Sequence, residues 1–289
     1  MPTSDLTATM RRLQDSDISF AVATVVRTLS VTAAKAGAKA VILADGTIGA
    51  GWIGGGCARG ATLKAAREAI ADGRPRLICV EPKDLLSDKG VSAGEVRDGV
   101  RYAANMCPSQ GAMEIFIEPV LPRPELVVMG ASPVAVTLAE TAGRFGYDVT
   151  LAAPARDHEA FAGVEHKIDG FTLPPTSRRR FIVVSTQGTG DEAALAAALK
   201  AEAVFVAFVG SRRKSQHLTA KLRDVGVPED RLAALKAPAG LDIGAETPPE
   251  IALSILAELV CVRAHYADDG RLLPQPIANR SPDLAVLRK

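Results

Sequence analysis

The sequence predicts an α/β protein, with an N-terminal α/β domain followed by a C-terminal Rossmann-like domain built on a parallel sheet. In the second half, short apolar strands alternate with glycine turns and helices, the order typical of a dinucleotide fold. Between the halves, Pro119, Pro122 and Pro124 form a stiff segment that lacks the N–H donors a sheet needs. We therefore expect domains at 1–121 and 122–263, followed by a polar tail at 264–289.

Composition narrows the class of protein. A chain of 289 residues, 47% hydrophobic and 23% charged, is long enough for two ordinary domains. The net charge of +1 provides no field for nucleic acid or an anionic membrane surface. Four dispersed cysteines predict reduced thiols in a cytoplasm, and the apolar segment 251–262 is too short to span a membrane. We expect a cytoplasmic protein that binds neither nucleic acid nor membrane.

The N-terminal domain is predicted to rest on strand pairs. Asp45-Gly46 is a hairpin turn between two apolar runs, and helical spacing begins after Cys57 and ends at Gly73. Segment 81–110 has a weak pattern because glycines and a proline interrupt it. The predicted elements are a helix at 6–13, strands at 18–26, 40–44, 47–53, 76–80 and 113–117, and a helix at 57–72.

A glycine-rich loop, Gly54-Gly55-Gly56, leads directly into Cys57. Consecutive glycines let the backbone approach a ligand closely, and the first turn of a helix offers unpaired N–H groups to an anion. A thiol at such a position should have a lowered pKa, and Arg59 would act in the same direction. The alternative is a tight turn that buries an inert cysteine.

A second cysteine, Cys107, stands in a loop before the strand at 113–117. If that strand pairs beside the strand that ends at Ile53, Cys107 would approach Cys57. The alternative is a cysteine fixed in a turn by Pro108.

The first strand–turn–helix unit of the second domain resembles a dinucleotide fingerprint but lacks two of its glycines. A strand at 126–129 leads through Gly130 into a helix that ends near Gly146, and a strand at 148–152 follows. Ser132 stands at the second glycine position and Ala135 at the third. We expect a Rossmann-like fold in which Gly130 and Ser132 contact a ligand, without the features of ordinary NAD binding.

A basic turn later in this domain indicates a ligand site more strongly than the turn at Gly130 does. Strands at 181–185 and 204–209 flank a helix at 191–200, and the second strand opens into Gly210-Ser211-Arg212-Arg213-Lys214. Positive side chains at a helix N-terminus oppose the helix dipole, which favours an anionic ligand there. The alternative is a solvated basic first turn.

The loop at 237–246 carries two spaced carboxylates, Asp242 and Glu246, which could bind a metal or organise a turn. Thr247 to Glu250 form a capping box that begins a helix at 251–263.

Four of these segments together resemble the XdhC/CoxI family. They are the glycine loop with Cys57, Cys107 before the strand at 113–117, the turn Gly210 to Lys214, and the segment 240–255. The resemblance implies a maturation factor that binds molybdenum cofactor, as molybdopterin or its cytidine dinucleotide form, with Cys57 near the molybdenum. It also implies two partners, a molybdenum hydroxylase such as xanthine or carbon monoxide dehydrogenase and a cysteine desulfurase or other sulfur donor, and we expect a homodimer.

The competing function is an NAD(P)-dependent oxidoreductase that uses the Rossmann-like domain. The sequence favours a non-catalytic chaperone, because neither a Tyr-x-x-x-Lys pair nor a histidine–carboxylate arrangement stands near the dinucleotide turn. The second strand also ends in Ala153-Pro154, where a carboxylate would hold the ribose.

Overall fold

A computed structural model describes residues 3–30, 32–106 and 110–269 of the chain. The chain divides into two compact units, 1–122 and 123–289. Within the described residues, no helix combines the length and apolar character needed to cross a membrane.

The first unit is built on a seven-stranded sheet with the order β3-β2-β1-β7-β4-β6-β5. Neighbouring strands are antiparallel except β4 and β6, which are parallel. Its elements are α1 (Thr3–Asp15), β1 (Phe20–Leu29), β2 (Lys39–Leu43), β3 (Ile48–Gly51), α2 (Gly56–Asp72), β4 (Arg76–Pro82), α3 (Lys83–Asp88), β5 (Val96–Arg97), β6 (Val100–Asn105) and β7 (Ala112–Val120).

The predicted hairpin is confirmed. β2 and β3 pair antiparallel around Asp45-Gly46. The Asp45 carboxylate accepts the backbone N–H of Thr47 at 2.8 Å, and Gly46 has φ +86°, which glycine adopts without steric cost. The turn therefore fixes the register of the two strands that lead into the glycine loop.

Helix α2 covers one face of this sheet. Its buried face consists largely of alanines, including Ala65, Ala66 and Ala69, and small side chains let the helix lie close to the strands. It packs against Val25, Ile115 and other residues of the central strands. The opposite face carries the alternate strand residues, such as Phe20 and Val22, which cluster with Leu13 of α1.

Two features of this unit do not follow from the local sequence pattern. β7 lies between β1 and β4, so the pairing beside β3 that the sequence left open does not occur. The weak segment also contains α3, β5 and β6. Every residue of β6 is only half buried, so the strand lacks the apolar alternation by which a sequence reveals a strand.

The second unit is built on a five-stranded parallel sheet with the order β10-β9-β8-β11-β12. This order, with helices on both faces, confirms the predicted Rossmann-like fold. Its strands are β8 (Glu125–Met129), β9 (Asp148–Ala153), β10 (His166–Asp169), β11 (Arg180–Val184) and β12 (Phe205–Phe208), and its helices are α4 (Pro133–Ala142), α5 (Asp191–Lys200), α6 (Arg212–Asp224), α7 (Glu229–Ala233) and α8 (Pro248–Asp269).

Both faces of the parallel sheet are buried, which explains its continuous apolar strands. Residues such as Leu126 and Val128 cluster with Leu138 of α4 and Leu259 of α8 on one face. Val127 and Met129 cluster on the other face with the helices α5, α6 and α7. A parallel bridge between Ala207 and Lys236 adds one residue beyond the edge strand β12.

Two helix ends and one strand of this unit differ from the prediction. α4 ends at Ala142, and a single turn of 3-10 helix follows before Gly146, which has φ +80°. The last helix continues to Asp269, so residues 264–269 are helical rather than part of the tail. The strand β10 is not predicted, because it is short and polar at the edge of the sheet.

Candidate functional site

Cys57 is the second residue of α2, where the glycine loop becomes a helix, as predicted. Its side chain is half buried. Gly55 is the N-cap residue and supplies no side-chain hydrogen bond to the helix. The first N–H groups of α2 therefore point away from the helix without a side-chain cap, which is the arrangement that binds anions.

The three loop glycines differ in whether their backbone conformation requires glycine. Gly54 and Gly56 have φ values of +103° and +55°, where other residues are strained. Gly55 has an ordinary φ of −119°, and a Cβ added to it would meet no atom within 4 Å. The protein itself therefore does not require glycine at 55, and the space beside that residue is open.

The residue that follows β6, Met106, contacts Cys57. The backbone N–H of Met106 donates to the Cys57 Sγ at 3.3 Å. The Asn105 side chain donates to the carbonyl of Gly111 at 2.6 Å, which closes the loop between them. Cys107 itself lies outside the described residues, together with Pro108 and Ser109. The contact of Met106 with Cys57 comes from the end of β6, and the approach of Cys107 to Cys57 stays a prediction.

Two large apolar side chains adjoin this site along the chain. Trp52, five residues before Cys57, is 49% exposed, and Met106 is 65% exposed. A half-exposed indole and a flexible thioether can both contact a planar heterocycle. The first unit thus combines a thiol, uncapped N–H groups and apolar surface within two loops.

The remaining described cysteines differ in environment. Cys79 is buried on β4, and burial, with a smaller contribution from Glu81, raises the pKa of its thiol to about 12. Cys261 is half buried on α8.

In the second unit, the turn between β8 and α4 is closed by contacts within the protein. Gly130 has φ +100°, and a Cβ added there would lie 2.7 Å from the Ser185 carbonyl oxygen. The Ser132 N–H donates to that same carbonyl at 3.3 Å. The Ser132 hydroxyl accepts the N–H of Ala135 and lies 2.6 Å from the Ser185 hydroxyl. Ser132 therefore already uses its polar groups within the fold.

The residues of the basic turn differ in their contacts. The Ser211 hydroxyl caps α6 by accepting the N–H of Lys214 at 3.2 Å. Lys214 forms an ion pair with the buried carboxylate of Asp191, whereas Arg212 and Arg213 are both exposed to solvent. Arg212 also lines a cavity. The expectation that these three cations hold an anion stays a prediction.

Asp191 is a residue that the sequence does not single out. Its carboxylate accepts hydrogen bonds from Thr186, from the N–H of Gly188 and from Lys214. Burial alone would raise the pKa of Asp191, but these hydrogen bonds lower it below its ordinary value. Acids are common at the start of a helix because they interact favourably with the helix dipole. The sequence alone therefore does not show that Asp191 also binds a neighbouring helix.

A cavity of about 1130 Å³ runs along β12 within the second unit. Gly210 and Arg212 line it from one side, and the loop that carries Asp242 lines it from the other. Two motifs that are 30 residues apart in sequence therefore meet. Asp242 and Glu246 are both exposed, and Glu246 is not part of the lining.

The loop opposite α6 is held in place by α8. Glu258 accepts hydrogen bonds from Lys236 and from the N–H of Gly240. Glu250 accepts the N–H groups of Thr247 and Glu246, which lowers the pKa of its carboxyl and confirms its predicted capping role. Among the residues that the structure describes, no group of three or more His, Cys, Asp or Glu side chains could hold a metal ion.

Two family models match the chain, one in each unit. The model of the XdhC and CoxI family matches residues 13–81, and that of the XdhC Rossmann domain matches residues 126–259. The chain therefore belongs to the XdhC/CoxI family.

The sequence identity to individual curated relatives is below 30%. The chain is 29% identical over 292 residues to the uncharacterized protein YqeB of Escherichia coli, an alignment that covers 96% of this chain and 49% of the relative. It is 26% identical over 164 residues to a probable subunit of xanthine dehydrogenase from Bacillus subtilis, covering 53% of this chain and 47% of the relative. The chain thus spans about half the length of these curated relatives. A solved xanthine dehydrogenase from Bacillus halodurans matches with a TM-score of 0.42 and 18% identity, over 90% of this chain and 96% of that one.

Proposed function

We propose that the protein is a maturation factor for a molybdenum hydroxylase of the xanthine dehydrogenase type, and that it binds molybdenum cofactor for delivery to that enzyme. Membership of the XdhC/CoxI family supports this proposal, as does the similarity to a probable subunit of xanthine dehydrogenase. A molybdenum hydroxylase and a sulfur donor, such as a cysteine desulfurase, are the proposed partners. The predicted homodimer and the cytoplasmic location remain predictions.

The start of α2 is the observation that carries the proposal. It brings together uncapped N–H groups, open space beside Gly55 and the half-buried thiol of Cys57. A phosphate needs N–H donors at a helix N-terminus, and a soft metal favours sulfur ligands. The residues present therefore fit both the anionic and the metal-bearing ends of the cofactor.

Each part of this site has a separate task in the proposed binding. Gly56 and Cys57 offer backbone N–H groups to an anionic group, and Trp52 offers an apolar surface to a heterocycle. The Met106 N–H orients the Cys57 sulfur. When bound, the cofactor supplies its own molybdenum and dithiolene sulfurs. The chain binds and orients it and limits the access of water, while Cys107 adjoins the same loop in sequence.

The oxidoreductase alternative has less support. A dinucleotide pyrophosphate needs free N–H groups and a second glycine in the turn after the first strand, but Ser132 occupies that second position and its N–H donates to the Ser185 carbonyl. The strand β11 opens into α5, whose first turn carries two acids, Asp191 and Glu192, and no basic residue that could hold a phosphate.

Purification from cells that make molybdopterin tests the proposed function directly. We expect the isolated protein to carry a pterin that becomes fluorescent on release and oxidation. A well-folded preparation that has no affinity for the cofactor, yet reduces a substrate with NADH, would support the oxidoreductase instead.

A further inference from the structure

A group of charged side chains in the first unit lies apart from the glycine loop, on the face of the sheet that α2 does not cover. Cys79 and Glu81 of β4 lie on this face, because the intervening Val80 packs in the core under α2. Glu114 of β7 is the register partner of Cys79. These three residues on the uncovered face and Arg27 of β1 line a narrow cleft at the sheet surface.

Glu81 has one carboxylate oxygen in an ion pair and one without a partner. The residue is 1% exposed, and the Lys89 Nζ lies 2.6 Å from its Oε1. Among the residues that the structure describes, its Oε2 is the single buried side-chain nitrogen or oxygen atom with no hydrogen-bond partner. The Cys79 thiol on the same strand is a weak donor and does not bond to Oε2. Because buried polar atoms nearly always have a partner, Oε2 indicates a ligand that supplies a donor.

Arg27 closes the cleft from the outside. Its guanidinium forms an ion pair with Glu114, and its side chain is 57% exposed. In this arrangement the cleft is too narrow for a water molecule, so solvent does not satisfy the Oε2 of Glu81. Exposed ion pairs contribute little to stability, and Arg27 can therefore swing aside at low cost. This movement would open Glu81 to a ligand.

The charges around the cleft favour an uncharged ligand. The two cations, Arg27 and Lys89, balance the two carboxylates, so an added cation would leave excess positive charge. Apart from Cys79 and the charged side chains, the lining is apolar: Leu29, Ala112 and Met113. This lining suits a flat apolar ring that carries N–H donors on one edge. An aminopyrimidinone has this form, because its amino group and its ring N–H stand side by side and can both donate to one carboxylate.

The cleft lies at the same end of the sheet as the Cys57 site. β6 runs parallel to β4 and places Ala104 opposite Glu81. Met106, which contacts Cys57, follows two residues after Ala104. At the spacings of a β-sheet, the Cα atoms of Glu81 and Met106 are about 8 Å apart. One ligand can therefore reach from Cys57 around the end of β6 to Glu81.

We propose that this cleft binds the aminopyrimidinone edge of the pterin in molybdenum cofactor, with Glu81 accepting the amino and ring N–H groups. Arg27 moves aside to admit the ring, while Lys89 keeps the Glu81 carboxylate oriented. The identity of the ligand rests on the proposed function. The inference adds the residue that recognises the pterin, at the opposite end of the ligand from the metal end assigned to Cys57.

Equilibrium dialysis of the full chain against pterin and against lumazine tests the proposal. Lumazine carries a carbonyl oxygen where pterin carries the amino group, so it presents an acceptor instead of a donor to Glu81. We expect the parent to bind pterin at least about tenfold more tightly than lumazine. Glu81→Gln should lose this preference. Glu118→Gln, which changes an exposed acid on the same face of the sheet, should keep it.

Arg27→Ala should strengthen pterin binding several-fold, because it removes the side chain that closes the cleft. Three results would overturn the proposal: equal affinity of the parent for the two rings, an unchanged preference in Glu81→Gln, or pterin binding by Arg27→Ala that is no tighter than that of the parent. The first and third comparisons do not depend on the folding of Glu81→Gln.

Binding of the whole cofactor, measured on the same proteins, separates this inference from the proposed function. Equal cofactor affinity in the parent and in a folded Glu81→Gln would refute the role of Glu81 alone. A folded parent that has no affinity for the cofactor would refute the proposed function.

Discussion

At the scale of single residues, Gly55 differs from its neighbours because neither its backbone nor its surroundings require glycine. A Gly55→Ala variant should fold, at a cost of no more than about 1 kcal/mol, since alanine is a poorer N-cap residue than glycine. The added methyl group would project into the space proposed for the ligand. We expect cofactor affinity to fall about tenfold, measured by equilibrium titration.

Gly60→Ala is the matched control. Gly60 lies one turn further along α2, and a Cβ added there also meets no atom within 4 Å. Alanine at this helical position should stabilise the protein slightly, by about 0.5–1 kcal/mol, and leave cofactor affinity unchanged. Equal affinities for Gly55→Ala and the parent would show that the space beside residue 55 is not part of the site.

The cysteines should differ in their rate of alkylation. Because the thiolate is the reactive form, a pKa of about 12 lowers the thiolate fraction of Cys79 about a thousandfold below that of an ordinary thiol at pH 8. Cys57 is half buried at the start of α2 and should be labelled faster than Cys79, with protection by bound cofactor. Timed labelling followed by mass spectrometry would measure both rates. Faster labelling of Cys79 than of Cys57 would mean that the glycine loop buries its thiol.

Sequence reasoning identifies some of these residues and misses others for a physical reason. Cys57 can be found because a glycine run before a helix is a local pattern. Asp191 acquires its importance from a contact across the fold, its ion pair with Lys214. Which of the basic residues 212–214 lines the cavity also depends on where α6 lies against the loop at 237–245.

At the scale of elements, the ion pair between Asp191 and Lys214 connects the starts of α5 and α6. Replacing Asp191 by Asn should destabilise the protein at pH 7 by about 1–3 kcal/mol, allowing for solvent screening around the partly exposed Lys214. The pKa of Asp191 is lowered in the folded state. Its stabilising contribution is therefore present above the unfolded pKa of about 3.9 and is lost as the pH falls through the folded pKa.

Thermal unfolding from pH 7 down to pH 2.5 would measure this effect. The difference in Tm between the parent and Asp191→Asn should be largest near neutral pH and shrink below about pH 4. Glu192→Gln, which changes an exposed acid at the next position, should show a much smaller difference throughout. A constant difference for Asp191→Asn across the whole range would show that the carboxylate contributes no pH-dependent stability.

Most elements can be predicted from local patterns, and the exceptions have identifiable causes. The strands β8 and β11 are buried on both faces and α5 has a clear start, so their apolar runs and glycine turns reveal them. β6 and β10 are half exposed or polar, and they are held by pairing with distant strands. The position of β7 between β1 and β4 depends on long-range pairing, which no local pattern specifies.

At the scale of the whole molecule, the two compact units each have a core and each contain one candidate site. The site in the first unit offers a thiol and helix N–H groups, and the cavity in the second unit is lined by Arg212 and by apolar side chains. The family models match one unit each and agree with this division of the chain. The sequence predicts both folds, whereas the cavity emerges only when the loop at 237–245 faces α6.

The most direct test of the central claim is equilibrium binding of molybdenum cofactor to the parent, to Cys57→Ser and to Cys261→Ser. Trp52 is the only tryptophan and stands on the glycine loop, so its fluorescence reports on this site. We predict that the cofactor changes the fluorescence of the parent and of Cys261→Ser at the same concentration. Cys57→Ser should need at least about tenfold more cofactor, since it loses a soft ligand for the metal. Equal affinity in all three proteins, or no binding to the folded parent, would contradict the assignment of Cys57 and the glycine loop to the cofactor.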